Sequence, residues 1–176
     1  YQSDHVNKIP LAANSEKIEK LVTRILKLEK LSEQISEFPN SYLHGFEGDL
    51  GYIDYEWQTR RYPVNANIEE KEDCRFAVTA GRSDEITDPL MDRGDREEQK
   101  LRAKYVHAAV DGRNMKKGEE QTIPIPQSQD GVEQLIAALE ADQRTVEETS
   151  IEDLEAEIDE TVYDLFDLTK EEREVI

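Results

Sequence analysis

Apolar residues recur along this chain at two different spacings, and each spacing predicts a different element. From Asn14 or Ser15, Ile18, Leu21, Val22, Ile25, Leu28, Leu31 and Ile35 follow at three- and four-residue steps with Lys and Glu between them. That period predicts a long amphipathic helix, ended by Phe38-Pro39-Asn40. Ile18 and Ile25, with Leu21, Leu28 and Ile35, fall on two interleaved seven-residue ladders, a narrow stripe suited to pairing with another helix. Between residues 41 and 90 the pattern changes. Gly45, Gly48 and Gly51 break the chain, and Tyr52, Ile53, Tyr55 and Trp57 bring in the aromatic and β-branched types that favour strands. A second strand-like run, Cys74 to Thr79, is separated from the first by the polar segment Asn65–Asp73, which predicts a twisted antiparallel unit with Cys74 as a small core residue.

After a turn-rich stretch from Ser83 to Gly94, a helix is expected from about Asp95 to Val110, burying Leu101, Tyr105, Ala108 and Ala109 and stopping at Asp111-Gly112. Thr122-Ile123-Pro124-Ile125-Pro126 reads as an extended edge strand or docking arm, because each proline biases its predecessor away from the helix. Asp130 with Glu133 has the spacing of a reciprocal cap, and Val132, Leu135, Ile136 and Leu139 give the apolar side of the helix that follows. Ser150 with Asp153 and Thr169 with Glu172 mark two further helix starts. Between these, Ile151, Leu154, Ile158, Val162 and Leu165 form one stripe closed by Phe166 and Leu168. Lys8-Ile9-Pro10-Leu11 echoes the later Ile-Pro segment and is expected to be an extended arm feeding the first helix.

The expected fold class is therefore α+β, predominantly helical with a small antiparallel β unit in the middle. Three segments are expected: residues 1–40 as an arm and long helix, 41–126 as mixed strand and helix, and 127–176 as a helical end. The start at Tyr1 without Met and the helical pattern breaking off at Glu171–Ile176 are what an excerpt from a longer protein would show.

Charge alters this picture. The 176 residues hold 22 Lys and Arg against 41 Asp and Glu, a formal charge of -19. Disorder, an acidic partner-mimicking surface and adaptation to molar salt all give such a balance. Regular apolar spacing argues against disorder, and acidic residues spread along the whole chain argue for salt adaptation over a concentrated mimic. The single cysteine excludes an internal disulfide and a multi-cysteine zinc site. No apolar run approaches the ~20 residues that cross a bilayer, and the N-terminus is not signal-like, so a cytoplasmic location is expected.

Catalytic constellations are missing. His5, His44 and His107 stand far apart, the glycines at 45, 48 and 51 lack the strand and helix that make a phosphate cradle, and there is no Gly-x-Ser-x-Gly elbow. No catalytic, cofactor-binding or metal-binding residue is therefore assigned. Clustered positive charge is read at Arg60-Arg61 and at Arg113, Lys116 and Lys117.

Residues Leu154 to Glu172 carry a longer pattern: Ile158, Asp159, Val162, Tyr163, Leu165, Phe166, Leu168, Thr169 and Glu172 spell Ile-Asp-x-x-Val-Tyr-x-Leu-aromatic-x-Leu-Thr-x-x-Glu. This resembles the closing segment of adenine-specific DNA methyltransferases of type II/IIG restriction-modification and related phage-defence systems. The Ile-Pro-Ile-Pro arm at 123–126 followed by a helix is similar as well, and with 51–117 the resemblance extends over about two thirds of the chain.

The resemblance implies a non-catalytic, target-recognition or scaffold part of such an enzyme, from a halophile-like source. Its parent would use S-adenosylmethionine and act on duplex DNA. The chain has neither a glycine loop for that cofactor nor an Asn/Asp-Pro-Pro-aromatic stretch to grip a flipped adenine, since Asp88-Pro89 is followed by Leu90. On this reading the partners are an intramolecular methyltransferase domain and duplex DNA. The DNA-contact candidates are Arg60, Arg61, Arg113, Lys116 and Lys117. With a charge of -19, isolated binding to DNA is expected to be weak. The alternative is a helical protein-interaction module that associates through its long helices and has no nucleic-acid role.

Overall fold

The computed structural model describes residues 2–165, with side chains from 15 to 164. The fold is α+β: α1 (Gln2–Ser36), β1 (Leu50–Glu56), β2 (Asn67–Glu70), β3 (Phe76–Ala80), β4 (Asp84–Ile86), α2 (Arg96–Val110), β5 (Glu120–Pro126), α3 (Gln129–Glu148) and α4 (Ile151–Leu165). The chain divides into two compact units, one of residues Gln34–Asp142 and one of Tyr1–Glu33 with Gln143–Ile176.

In the Gln34–Asp142 unit, β1 alternates as its sequence demands, with Ile53 buried and Tyr52 and Asp54 exposed. Its antiparallel partner is β5, with Ile53 opposite Ile123 and Tyr55 opposite Gln121. The Trp57 N–H donates to the Glu119 carbonyl at one end of this ribbon, and the Gln127 N–H to the Asp49 carbonyl at the other. Ladder bonds thus fall on every second pair, and Pro124 and Pro126 sit at the pairs between, where no N–H is needed.

The 52–57 and 74–79 runs, expected to make one antiparallel unit, do not pair with each other. β3 lies instead at the centre of a separate sheet ordered β2-β3-β4. The two outer strands fall inside segments read as polar or turn-rich, because edge strands this short carry too few apolar residues to show a period. Cys74 is also not a core residue: it is exposed, at φ 64°, in the tight turn where the Lys71 N–H donates to the Arg75 carbonyl.

Helix α2 starts where the sequence places it, with the Asp95 carboxylate accepting from the Glu98 N–H at 2.9 Å, and ends at Asp111 with Gly112 at φ 75°. It buries Tyr105, Val106, Ala109 and Val110 among Phe38, Ile53, Trp57, Ile123 and Val132. Tyr105 donates its hydroxyl to the Pro124 carbonyl at 2.7 Å, and its ring meets Phe38 edge-on. The same helix buries Arg102, whose guanidinium donates to the carbonyls of Leu90, Pro126 and Gln127. Helix α3 is capped by Ser128, whose hydroxyl accepts from the Gly131 N–H at 3.0 Å, and not by Asp130 with Glu133. Serine two residues earlier takes the role because the helix begins at Gln129.

In the other unit, Leu21 and Leu28 of α1 and Leu154 of α4 are buried together, with Ile25, Ile151 and Ile158 against them. The seven-residue ladder of α1 therefore meets the stripe of α4. Ser150 caps α4 through its hydroxyl, which accepts from the Asp153 N–H at 3.3 Å. The extended arm expected at 8–11 is not present: the backbone is helical from Gln2 onward. Proline removes one ladder hydrogen bond and strains the preceding turn at about 3 kcal/mol, and the good helix formers Leu11, Ala12 and Ala13 continue the helix past it. The Thr169–Glu172 start and the contacts of Phe166 and Leu168 lie outside the described residues.

Candidate nucleic-acid interface

The two basic runs far apart in sequence become neighbours in the fold. Beyond the β1–β5 ribbon, the Gly118 N–H donates to the Trp57 carbonyl, and Arg61 and Met115 exchange both backbone hydrogen bonds at 2.9 and 2.8 Å. This carries residues 57–64 alongside 113–119 as an irregular extension of the ribbon. The Val64 N–H donates to the Arg113 carbonyl, and the Gly112 N–H to the Val64 carbonyl, which closes it.

Of the five cationic candidates, two are committed internally. Arg61 donates through Nε to Asp84 at 3.2 Å. Asp84 is buried, and it also accepts from the Tyr55 hydroxyl at 2.7 Å and the Gln58 N–H at 2.8 Å. Burial and the neighbouring Asp84 carboxylate push the Tyr55 hydroxyl well above the usual tyrosine range. The Arg61 side chain further lies against Gly81, where φ is 67° and a Cβ would collide with the guanidinium. Arg113 is half-buried and donates to the Phe38 carbonyl, and desolvation lowers its pKa.

Arg60, Lys116 and Lys117 are exposed. The Arg60 guanidinium lies 4.4 Å from the centre of the Tyr62 ring, which is itself 45% exposed. What remains exposed on the two paired segments is thus three cations and an aromatic ring, followed along the chain by Glu119 and Glu120. Its chemistry suits phosphate contact with one stacking or edge contact. Its ring and cations lie on open surface.

A second cationic arrangement escapes a reading of adjacent residues. On α1, Lys17, Lys20, Arg24, Lys27 and Lys30 are all exposed, and among the described residues none forms an ion pair or hydrogen bond through its side chain. Lys17/Lys20, Lys20/Arg24, Arg24/Lys27 and Lys27/Lys30 are like-charged neighbours at three- or four-residue spacing, each destabilising a helix by about 0.2–0.5 kcal/mol. The signal was in the sequence, as a helical period of charge and not as a run.

An open cleft of about 610 Å³ on the Gln34–Asp142 unit is lined mainly by Glu69, Glu70, Glu72, Asp73 and Glu85 with Lys71 and Arg75. His107 donates its Nε2–H to the Ala66 carbonyl, 2.9 Å away, a structural contact that ties α2 to the segment before β2. Among the described residues no helix is long and apolar enough to cross a membrane. No family model, curated protein or solved structure is significantly similar to the chain.

Proposed function

We propose that this region is the non-catalytic DNA-positioning part of an S-adenosylmethionine-dependent, adenine-specific DNA methyltransferase of a restriction-modification system. The observation that carries the reading is the Arg61–Met115 pairing, which sets the segment bearing the exposed Arg60 and Tyr62 beside the segment bearing the exposed Lys116 and Lys117, in a chain whose net charge is -19. The methyltransferase-like motif at 154–172 supplies the class of enzyme, and duplex DNA is the partner such a surface would meet. Arg61 and Arg113 hold that surface in shape, while Arg60, Lys116 and Lys117 make the phosphate contacts.

The test is steady-state methylation by the protein that carries this region together with a methyltransferase portion. Replacing Arg60, Lys116 and Lys117 by Gln raises KM for DNA about tenfold or more and leaves KM for the methyl donor unchanged. An unchanged KM for DNA would overturn the reading.

A protein-interaction role has one specific observation behind it: Val22 and Leu26 on α1 are 41% and 59% exposed. Leu21 and Leu28 are already covered by α4, so association between copies would use Val22 and Leu26. Sedimentation over a concentration series separates the readings, because a dimer abolished by Val22→Glu with Leu26→Glu favours the interaction module.

A further inference from the structure

We infer that the basic face of α1 is a second, separate contact for the phosphate backbone of duplex DNA; the choice of DNA rests on the DNA-positioning reading above, while the surface does not. Lys17, Lys20, Arg24 and Lys27 fall within about 80° of one another around the helix and span ~15 Å along it. Lys30 lies a further ~60° around the helix, toward Leu26.

Two observations point outward from this face. The chain holds 41 carboxylates, yet among the described residues none pairs with any of these five cations. Within the row the four neighbour pairs three and four apart repel, and the attractive spacings stand only at its ends, Glu16 with Lys20 and Lys30 with Glu33. Helix α4, packed against Leu21 and Leu28 beside this row, carries seven acidic and no basic residues, a nearby counter-charge with which duplex DNA would compete.

The partner must then be a linear polyanion, and an acidic helix is the weaker candidate. A docking helix needs an apolar seam between its charge rows. The exposed apolar pair Val22 and Leu26 lies about 100–180° around α1 from Lys17, Lys20, Arg24 and Lys27. Phosphate needs only cations at a spacing of several ångström, which this row offers.

The experiment is fluorescence anisotropy of a labelled 30-base-pair duplex, chosen about three helical turns long, titrated with the 176-residue chain over a series of KCl concentrations. The Lys17→Gln/Lys20→Gln/Arg24→Gln/Lys27→Gln variant is compared with the Arg60→Gln/Lys116→Gln/Lys117→Gln variant. Wild type should bind at about 10 µM in low salt. The α1 variant should lose about tenfold or more in affinity, and its log–log salt slope should fall by about 3, with helix content by circular dichroism unchanged. Full affinity and slope in the α1 variant overturn the inference, and a loss confined to the Arg60 variant does so while sparing the functional reading. A loss confined to the α1 variant supports the inference and counts against the Arg60 surface. Polyglutamate that competes as well as DNA at equal charge would also overturn it, as would failure of wild type to bind.

Discussion

Asp84 sets the local geometry of the candidate interface more than any cation in it. Its buried carboxylate accepts from Tyr55, Gln58 and Arg61 at once, so it fixes the strand end from which Arg60 and Tyr62 project. Asp84→Ala leaves a guanidinium, a hydroxyl and an N–H without their acceptor and should destabilise the protein by about 3–5 kcal/mol in thermal or urea unfolding. Asp84→Ala with Arg61→Met should recover part of that loss, because no cation is then left unpaired. Three tyrosines give a pH signature. Desolvation raises Tyr105, and desolvation with a carboxylate partner raises Tyr42 and Tyr55. Their neutral forms are thus favoured by folding, and the associated stability is complete below pH 10, the ordinary tyrosine value. Above it the unfolded chain releases protons that the folded chain retains, so stability should fall with further rise in pH. Urea midpoints at pH 9, 10 and 11 check this, pH 10 being the unfolded-state value; a midpoint that does not move would contradict it. None of this was legible from adjacent residues, because Asp84 and Arg61 meet only once β3 and β4 are in place.

Elements with a strong period were legible and short ones were not. The stripe of α4, the cap at Ser150 and the span of α2 follow directly from three- and four-residue spacing and from Ser and Asp placed before it. β2 and β4 show four and three residues each, and their pairing with β3 depends on side chains 10 or so positions away, information that no local pattern holds. The candidate site was half legible. Arg60, Lys116 and Lys117 stand out as clustered charge, whereas the internal commitment of Arg61 and Arg113 depends on Asp84 and on the Phe38 carbonyl. The α1–α4 contact rests on few buried residues, which makes it sensitive. Leu154→Ala should remove about 2–5 kcal/mol from it. By hydrogen exchange, amides of α4 should then lose protection while those of β1 and β5 keep theirs. Equal loss in both would show that the two units unfold together.

At the scale of the whole molecule, 41 acidic residues against 22 basic ones make repulsion a standing load on the folded state. Added salt shortens the Debye length from about 10 Å at 0.1 M to 3 Å at 1 M. Scanning calorimetry in KCl should therefore show Tm rising between 0.1 and 1 M, the range over which that screening length shrinks. A flat or falling Tm would argue that the carboxylates are spaced well enough already and that salt adaptation is not the reason for them.

The β1–β5 ribbon has one more consequence, which concerns time. Tyr55 and Gln121 are partners separated by 65 intervening residues. During synthesis at roughly 5–20 residues per second, β1 leaves the ribosome several seconds before the strand that completes it. Through that interval its whole hydrogen-bonding edge and the apolar face of Ile53 have no native partner, and the row is available to any other extended chain nearby. The acidic residues at Asp49, Asp54 and Glu56 sit on and beside that row. Like charges repel two nascent copies of the strand, so the same carboxylates that burden the finished fold protect it while it is being made.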